Sequence, residues 1–234
     1  MARLEDGERI YAIGDIHGCA SELKELLHKI IADNRASREA RAWLIFLGDY
    51  IDRGPDSREV LDILCSRLPD GFSCELLMGN HERMLLDALE DPDKMALWLM
   101  NGGSKVVESY ARAFPDRLRT LWDLSDLSQL LPPQHLTLLQ GLKLFTRHGD
   151  YFFVHAGVRP GVPLDQQDPY DLVWIRKPFL THTGPFGARI VHGHTPDDAP
   201  VVLDNRICID TGAVFTGRLT ALRLEGADIA FLST

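Results

Sequence analysis

The sequence predicts an α/β fold: two mixed β-sheets packed face to face as a sandwich, helices on the outside, and a helical cap inserted between its halves. Three patterns carry this expectation. Up to about residue 90, short apolar runs alternate with amphipathic stretches, the order of βα units. A segment rich in Leu, Met and Trp with helical spacing follows, and beyond it apolar runs alternate with Gly, Asn and Pro turns. At 234 residues, 45% of them hydrophobic, the chain is long enough for one large domain covering 1–234.

The elements follow in order. Residues 10–13 form an apolar run, and Ser21 then opens a helix whose Leu23, Leu26, Leu27, Ile30 and Ile31 share one face. Residues 43–47 repeat the strand, and a helix after Pro55 carries Val60, Leu61, Ile63 and Leu64. A third unit pairs 74–78 with a helix at about 81–89. Residues 91–141 read as a helical cap beside the site, with breaks at Gly102-Gly103, Phe114-Pro115 and Pro132-Pro133 and with Trp98 and Trp122 as core. Strands at 142–146 and 151–155 are expected to form a hairpin through His148-Gly149-Asp150. Strands at 190–191, 201–203, 206–209, 219–224 and 229–232 complete the sheets.

Composition narrows the function. A formal charge of −9 disfavours a protein that tracks nucleic-acid phosphates with clustered Lys and Arg, although it leaves nucleotide substrates open. The N-terminus is polar rather than basic followed by apolar, and no run approaches a membrane span, so a soluble cytoplasmic protein is expected, with a monomer as the default. Cys19, Cys65, Cys74 and Cys208 form no Cys-x-x-Cys pair and read as reduced, structural thiols.

Chemistry concentrates in five motifs, each directly after an apolar run: Gly14-Asp15-Ile16-His17-Gly18, Gly48-Asp49-Tyr50-Ile51-Asp52-Arg53-Gly54, Gly79-Asn80-His81-Glu82, His155-Ala156-Gly157 and Gly193-His194-Thr195. Asp, His and Asn are oxygen and nitrogen donors that suit Mn, Fe or Zn, and two such ions can stabilise the attacking and leaving oxygens of a phosphoester displacement. The glycines let backbone turn close to ions and substrate. Any one motif alone is an ordinary turn at a strand end; five in order are not.

The ordered set resembles the phosphoprotein phosphatase family of metallophosphoesterases, which has a calcineurin-like fold. Trp98-Leu99-Met100-Asn101-Gly102-Gly103, Val173-Trp174-Ile175-Arg176, Gly193-His194-Thr195-Pro196 and Ile209-Asp210-Thr211-Gly212-Ala213-Val214 are similar to its compact bacterial and phage branch. The resemblance implies two divalent ions, Mn by expectation with Fe, Zn or Co as alternatives. It puts Asp15 and His17 on the first ion, Asp49 between both, and Asn80, His155 and His194 on the second. It also implies direct in-line attack by a metal-activated hydroxide. His81 would protonate the leaving oxygen, Asp52 would orient that imidazole, and Arg53 and Arg176 would grip phosphate oxygens.

Bland readings compete for single residues. Arg176 alone can be a surface ion pair, Asp210 a strand end, and Cys19 a buried inert thiol near the first motif. His192 precedes the glycine of its motif and is not expected to be a ligand; His28, His135, His148 and His182 read as solvated or turn residues. Three functions follow for weighing. A protein serine/threonine phosphatase acting on phosphoproteins or phosphopeptides leads, with phosphotyrosine and aryl phosphates as side activities. A symmetrical diadenosine tetraphosphate hydrolase, which shares the fold and most motifs, is the alternative; the resemblance disfavours it, because such hydrolases usually lack an acid at the position of Asp52 and carry Asp at that of Glu82. An inactive binding module is the remote third, because no expected ligand or arginine is missing.

Overall fold

The run at the N-terminus folds as β1, Glu8–Ile13, with all six residues buried. A strand without polar alternation belongs where both faces are covered. There β1 pairs parallel with β2, Arg41–Phe46, and antiparallel with β9, Thr220–Glu225. β3, Phe72–Leu76, extends the parallel side, and β10, Asp228–Ser233, closes the other edge, giving the order β10-β9-β1-β2-β3. The second sheet takes β4 (Phe145–His148), β5 (Tyr151–Val154), β6 (Arg189–His192), β7 (Val201–Val202) and β8 (Arg206–Cys208) in the order β4-β5-β6-β8-β7. β5, β6 and β8 run parallel, while β4 and β7 are antiparallel edges. This computed structural model describes residues 2–35, 41–66, 68–114 and 129–234.

Alternation along the strands divides the apolar side chains among three layers. Between the sheets, Ile10, Ala12, Ile45, Leu47, Leu222 and Leu224 meet Tyr151, Phe153, Val191, Ile207 and Ile209. Tyr11, Ile13, Leu44 and Phe46 point the other way, onto the helices α1 (Ala20–Arg35), α2 (Ser57–Ser66) and α3 (Asn80–Glu90). Behind the second sheet, Phe152, Val154 and Ile190 pack on Leu172, Ile175 and Phe179. Each fully buried side chain of this kind contributes roughly 1.5–3 kcal/mol of transfer free energy.

In the insertion, α4 (Met95–Trp98) passes through a π turn, Leu99–Gly103, into α5 (Ser104–Ala113), and α6 (Pro133–Gln140) begins at the second proline of its pair. Trp122 lies outside the described residues. Among those described, no helix is long and apolar enough to cross a membrane.

Three expectations need correction. β4 starts at Phe145, not at 142, because half-buried Leu142 and Leu144 pack on the first core and Lys143 forms an isolated bridge to Leu77, just past the end of β3. His148 pairs with Tyr151, so the hairpin turns on Gly149-Asp150 alone, with Gly149 at φ 52°. His135, expected in solvent, is fully buried: its Nε2–H donates to Asp62 Oδ1 (3.1 Å) and its Nδ1 accepts from the Tyr110 hydroxyl (2.6 Å), tying α5 and α6 to α2. Nothing in the local sequence reports contacts this distant along the chain.

Candidate metal centre

All five motifs leave the carboxyl ends of parallel strands: β1, β2 and β3 in one sheet, β5 and β6 in the other. That is where open α/β sheets hold ligands. β8 is parallel to β6 and adds a sixth loop at the same end, carrying Asp210. Crowding explains the glycines best at two positions. A Cβ at Gly79 would stand 2.2 Å from Asp49 Oδ1, and one at Gly193 would stand 2.0 Å from Asp15 Oδ1.

Asp49 is the hub. His17 Nε2 approaches its Oδ2 at 3.4 Å, and His155 Nε2 approaches its Oδ1 at the same distance. Two clusters share it: His17, Asp49 and His81 on one side, and Asp49, His155 and His194 on the other, with donor atoms in each within 4.8 Å of one another. Asn80 Oδ1 is 2.9 Å from His155 Nε2, and both Asp15 carboxylate oxygens accept from the His194 backbone N–H. The backbone is bent to achieve this. Among the described residues, the five non-glycine residues with positive φ are His17 (46°), Asp49 (53°), Asp52 (70°), Arg53 (62°) and His194 (66°). Strain of this type persists where surrounding contacts over-determine it, and it clusters at functional sites.

The donor set fits divalent cations on three grounds. His17 Nδ1 donates to the Ile51 carbonyl (2.8 Å) and His155 Nδ1 to the Leu47 carbonyl (3.0 Å), which leaves each Nε2 with a lone pair; that of His155 faces the oxygens of Asp49 and Asn80, and that of His17 lies near Asp49 Oδ2 and accepts from Arg53. His194 Nε2 is buried with no hydrogen-bond partner among the described residues. Burial also keeps these rings neutral, pushing His17 down to about 3 and His194 to about 2. Finally, Asp15, Asp49 and Asp210 crowd together. Burial, then Asp210 and Asp49, drives the Asp15 carboxyl well above the carboxylate range. A cation relieves such crowding. Neutral imidazole, amide and carboxylate donors without thiolate match Mn, Fe, Zn or Co.

His81 is itself a member of the first cluster, 4.0 Å from Asp49 Oδ2, but its Nδ1–H donates to Asp52 Oδ2 at 2.6 Å. Burial alone would lower its pKa; the carboxylates of Asp49 and Asp52 outweigh burial and raise it. A charged imidazole donates a proton, not a lone pair. Arg53 reaches His17 Nε2 through Nη1 at 3.0 Å, while Arg176 is exposed at the start of α7 (Lys177–Leu180), its positive charge helping to depress His155 and His194. His192 stays outside the centre: its Nδ1 contacts the Gly193 carbonyl, its Nε2 accepts from Arg206, and its ring meets Phe179 edge-on.

Three residues matter more than sequence reasoning proposed. Glu82 accepts from the backbone N–H groups of Asp49, Tyr50, Ile51 and Gly79, at 2.7–3.2 Å, and thereby shapes the Asp49 loop. Trp98 donates its indole N–H to Asp52. Asp210, left open between two roles, is buried beside Asp15, and its Oδ1 accepts from Gly212 N–H. Cys19 is a buried thiol, pushed up to about 12 chiefly by burial, with its S–H toward the His17 carbonyl.

A buried cluster of this composition at the strand ends of two facing sheets defines a metal-dependent phosphoester hydrolase. The chain belongs to the calcineurin-like phosphoesterase family, whose pattern matches residues 8–226. It is 32% identical to serine/threonine-protein phosphatase 1 of Salmonella typhimurium, over 92% of each chain. It is also 29% identical to the asymmetrical bis(5'-nucleosyl)-tetraphosphatase PrpE of Geobacillus thermodenitrificans, over 90% of this chain and 88% of the relative. A crystallised candidate diadenosine tetraphosphatase superposes with a TM-score of 0.64 at 24% identity, covering 100% of this chain and 98% of that one, a likeness of fold.

Proposed function

We propose that this enzyme is a protein serine/threonine phosphatase: a phosphomonoesterase that holds two Mn ions through Asp15, His17, Asp49, Asn80, His155 and His194. The observation that carries this reading is the buried His81–Asp52 pair at 2.6 Å. A serine or threonine alkoxide is a poor leaving group, and a positioned acid contributes about 10²–10⁴ to its departure. A nucleotide phosphate leaves readily and asks less of such a pair. Bound divalent ions supply Lewis acidity toward phosphoryl oxygens and acidify water into the neutral range.

This chain's own groups do the rest. Arg53 and Arg176 present planar, permanently charged forks to non-bridging oxygens. His81 Nε2–H passes its proton to the oxygen that leaves phosphorus, and Asp52 keeps the Nδ1–H aligned throughout. In this reading the chain is one cytoplasmic, monomeric catalytic unit with residues 91–141 as its cap. Dinucleoside polyphosphates are the second reading, favoured by the PrpE relatives, which are named for asymmetrical cleavage rather than the symmetrical cleavage weighed from sequence.

The test is Mn-dependent turnover of a phosphoserine peptide and of diadenosine tetraphosphate in one preparation. A kcat/KM that favours the peptide supports the phosphatase; one that favours the dinucleotide assigns the enzyme to the second reading.

A further inference from the structure

We infer that Trp98 is a positioning residue for the proton donor, acting through Asp52. The inference rests on the His81 acid proposed above. Trp98 ends α4 with its side chain fully buried, and its Nε1–H lies 3.0 Å from Asp52 Oδ1 and 3.2 Å from Oδ2. Asp52 is itself fully buried, so His81 on one side and the indole on the other are what hold its carboxylate. A carboxylate with one donor can rotate about χ2; with a second donor from another element it is locked, and the His81 ring with it.

The same segment fixes the backbone. The Gly102 carbonyl accepts from Arg53 N–H at 3.2 Å, immediately after Asp52. Both Asp52 and Arg53 have positive φ, so a turn that grips one by its side chain and the next by its amide opposes their relaxation. Gly103 seats the indole: a Cβ there would come within 2.3 Å of the ring. A buried indole N–H needs an acceptor, and the one Trp98 takes is the carboxylate that orients His81.

The experiment uses the full chain loaded with Mn and compares Trp98→Phe, Asp52→Asn and the double variant on phosphoserine and 4-nitrophenyl phosphate. Loss of a charged hydrogen bond should lower kcat on the alkyl ester roughly tenfold, with less than about a twofold change on the aryl ester and in KM. In the Asp52→Asn background, Trp98→Phe should add nothing. Equal losses on both esters, or an undiminished further loss in the double variant, would overturn the inference. Replacement of Trp98 by 3-benzothienylalanine, which keeps the shape without the N–H, covers the case in which phenylalanine unfolds the cap. It should reproduce the selective loss, and wild-type behaviour would show that packing alone matters. A wild-type enzyme that cleaves both monoesters but prefers the dinucleotide removes the proposed substrate and leaves Trp98 in place; one that cleaves neither removes both.

Discussion

Val154 and His155 are neighbours in sequence and belong to different regimes. Val154, like Phe153 and Ile207, is a buried apolar side chain on regular strand backbone. One residue on, the chain enters a cluster where imidazoles face carboxylates and the backbone turns left-handed at His17, Asp49, Asp52, Arg53 and His194. The sheet layers gain free energy from burial, while the loop layer holds strained backbone and crowded acceptors that only the packed strands beneath can keep in register. Substitutions in the two layers should therefore separate stability from chemistry.

The largest effect is expected at the hub. Asp49→Asn should abolish turnover and reduce bound metal while leaving the metal-free fold in place; metal analysis beside circular dichroism checks both halves. Retained turnover would remove Asp49 from the centre. In the strand layer the signs reverse: Phe153→Ala should cost about 3–5 kcal/mol in urea melts, with kcat of the folded fraction little changed. A loss of kcat without a loss of stability would mean that the layers are not separable. His81→Asn sharpens the comparison within the site. It should keep both metals and slow phosphoserine by about 10²-fold or more, with a smaller loss on nitrophenyl phosphate. Equal losses on the two substrates contradict a proton-donor role.

The smallest effect concerns the attachment of the cap. Burial, opposed by Asp62, holds His135 below its ordinary pKa, so the folded chain binds fewer protons there than the unfolded one. Its contribution to stability is complete above the unfolded value of about 6.5 and declines as pH falls below it. Between pH 7.5 and 5.5 the wild type should lose more stability than His135→Gln, read from paired urea melts. Identical slopes would show that His135 titrates alike in both states.

How much of this was legible in the sequence divides along the same boundary. The motifs and the apolar runs before them are local, and they placed Asp15, His17, Asp49, Asn80, His155 and His194 at strand ends without any coordinate. Helix positions were legible for the same reason: α1 and α2 follow the spacing of Leu23, Leu26, Leu27 and Ile30 and of Val60, Leu61 and Leu64. What was not legible depends on packing between distant segments. Trp98 meets Asp52 from 46 residues away, and His135 meets Asp62 from 73. Trp98 has the helical spacing of an ordinary core residue, and only the direction of its N–H distinguishes it. The four-donor cradle of Glu82 likewise exists only once the Asp49 loop lies over α3. Leu142 and Leu144 read as strand because their alternation is real, yet it serves the edge of the other layer.

The central claim is a two-ion centre with Asp49 shared between the ions. Anomalous diffraction from Mn-soaked crystals tests it most directly. Two peaks are expected at the carboxyl ends of the strands, about 3.5–4 Å apart, with Asp49 in contact with both. A single peak, or two peaks of which only one touches Asp49, would contradict the account.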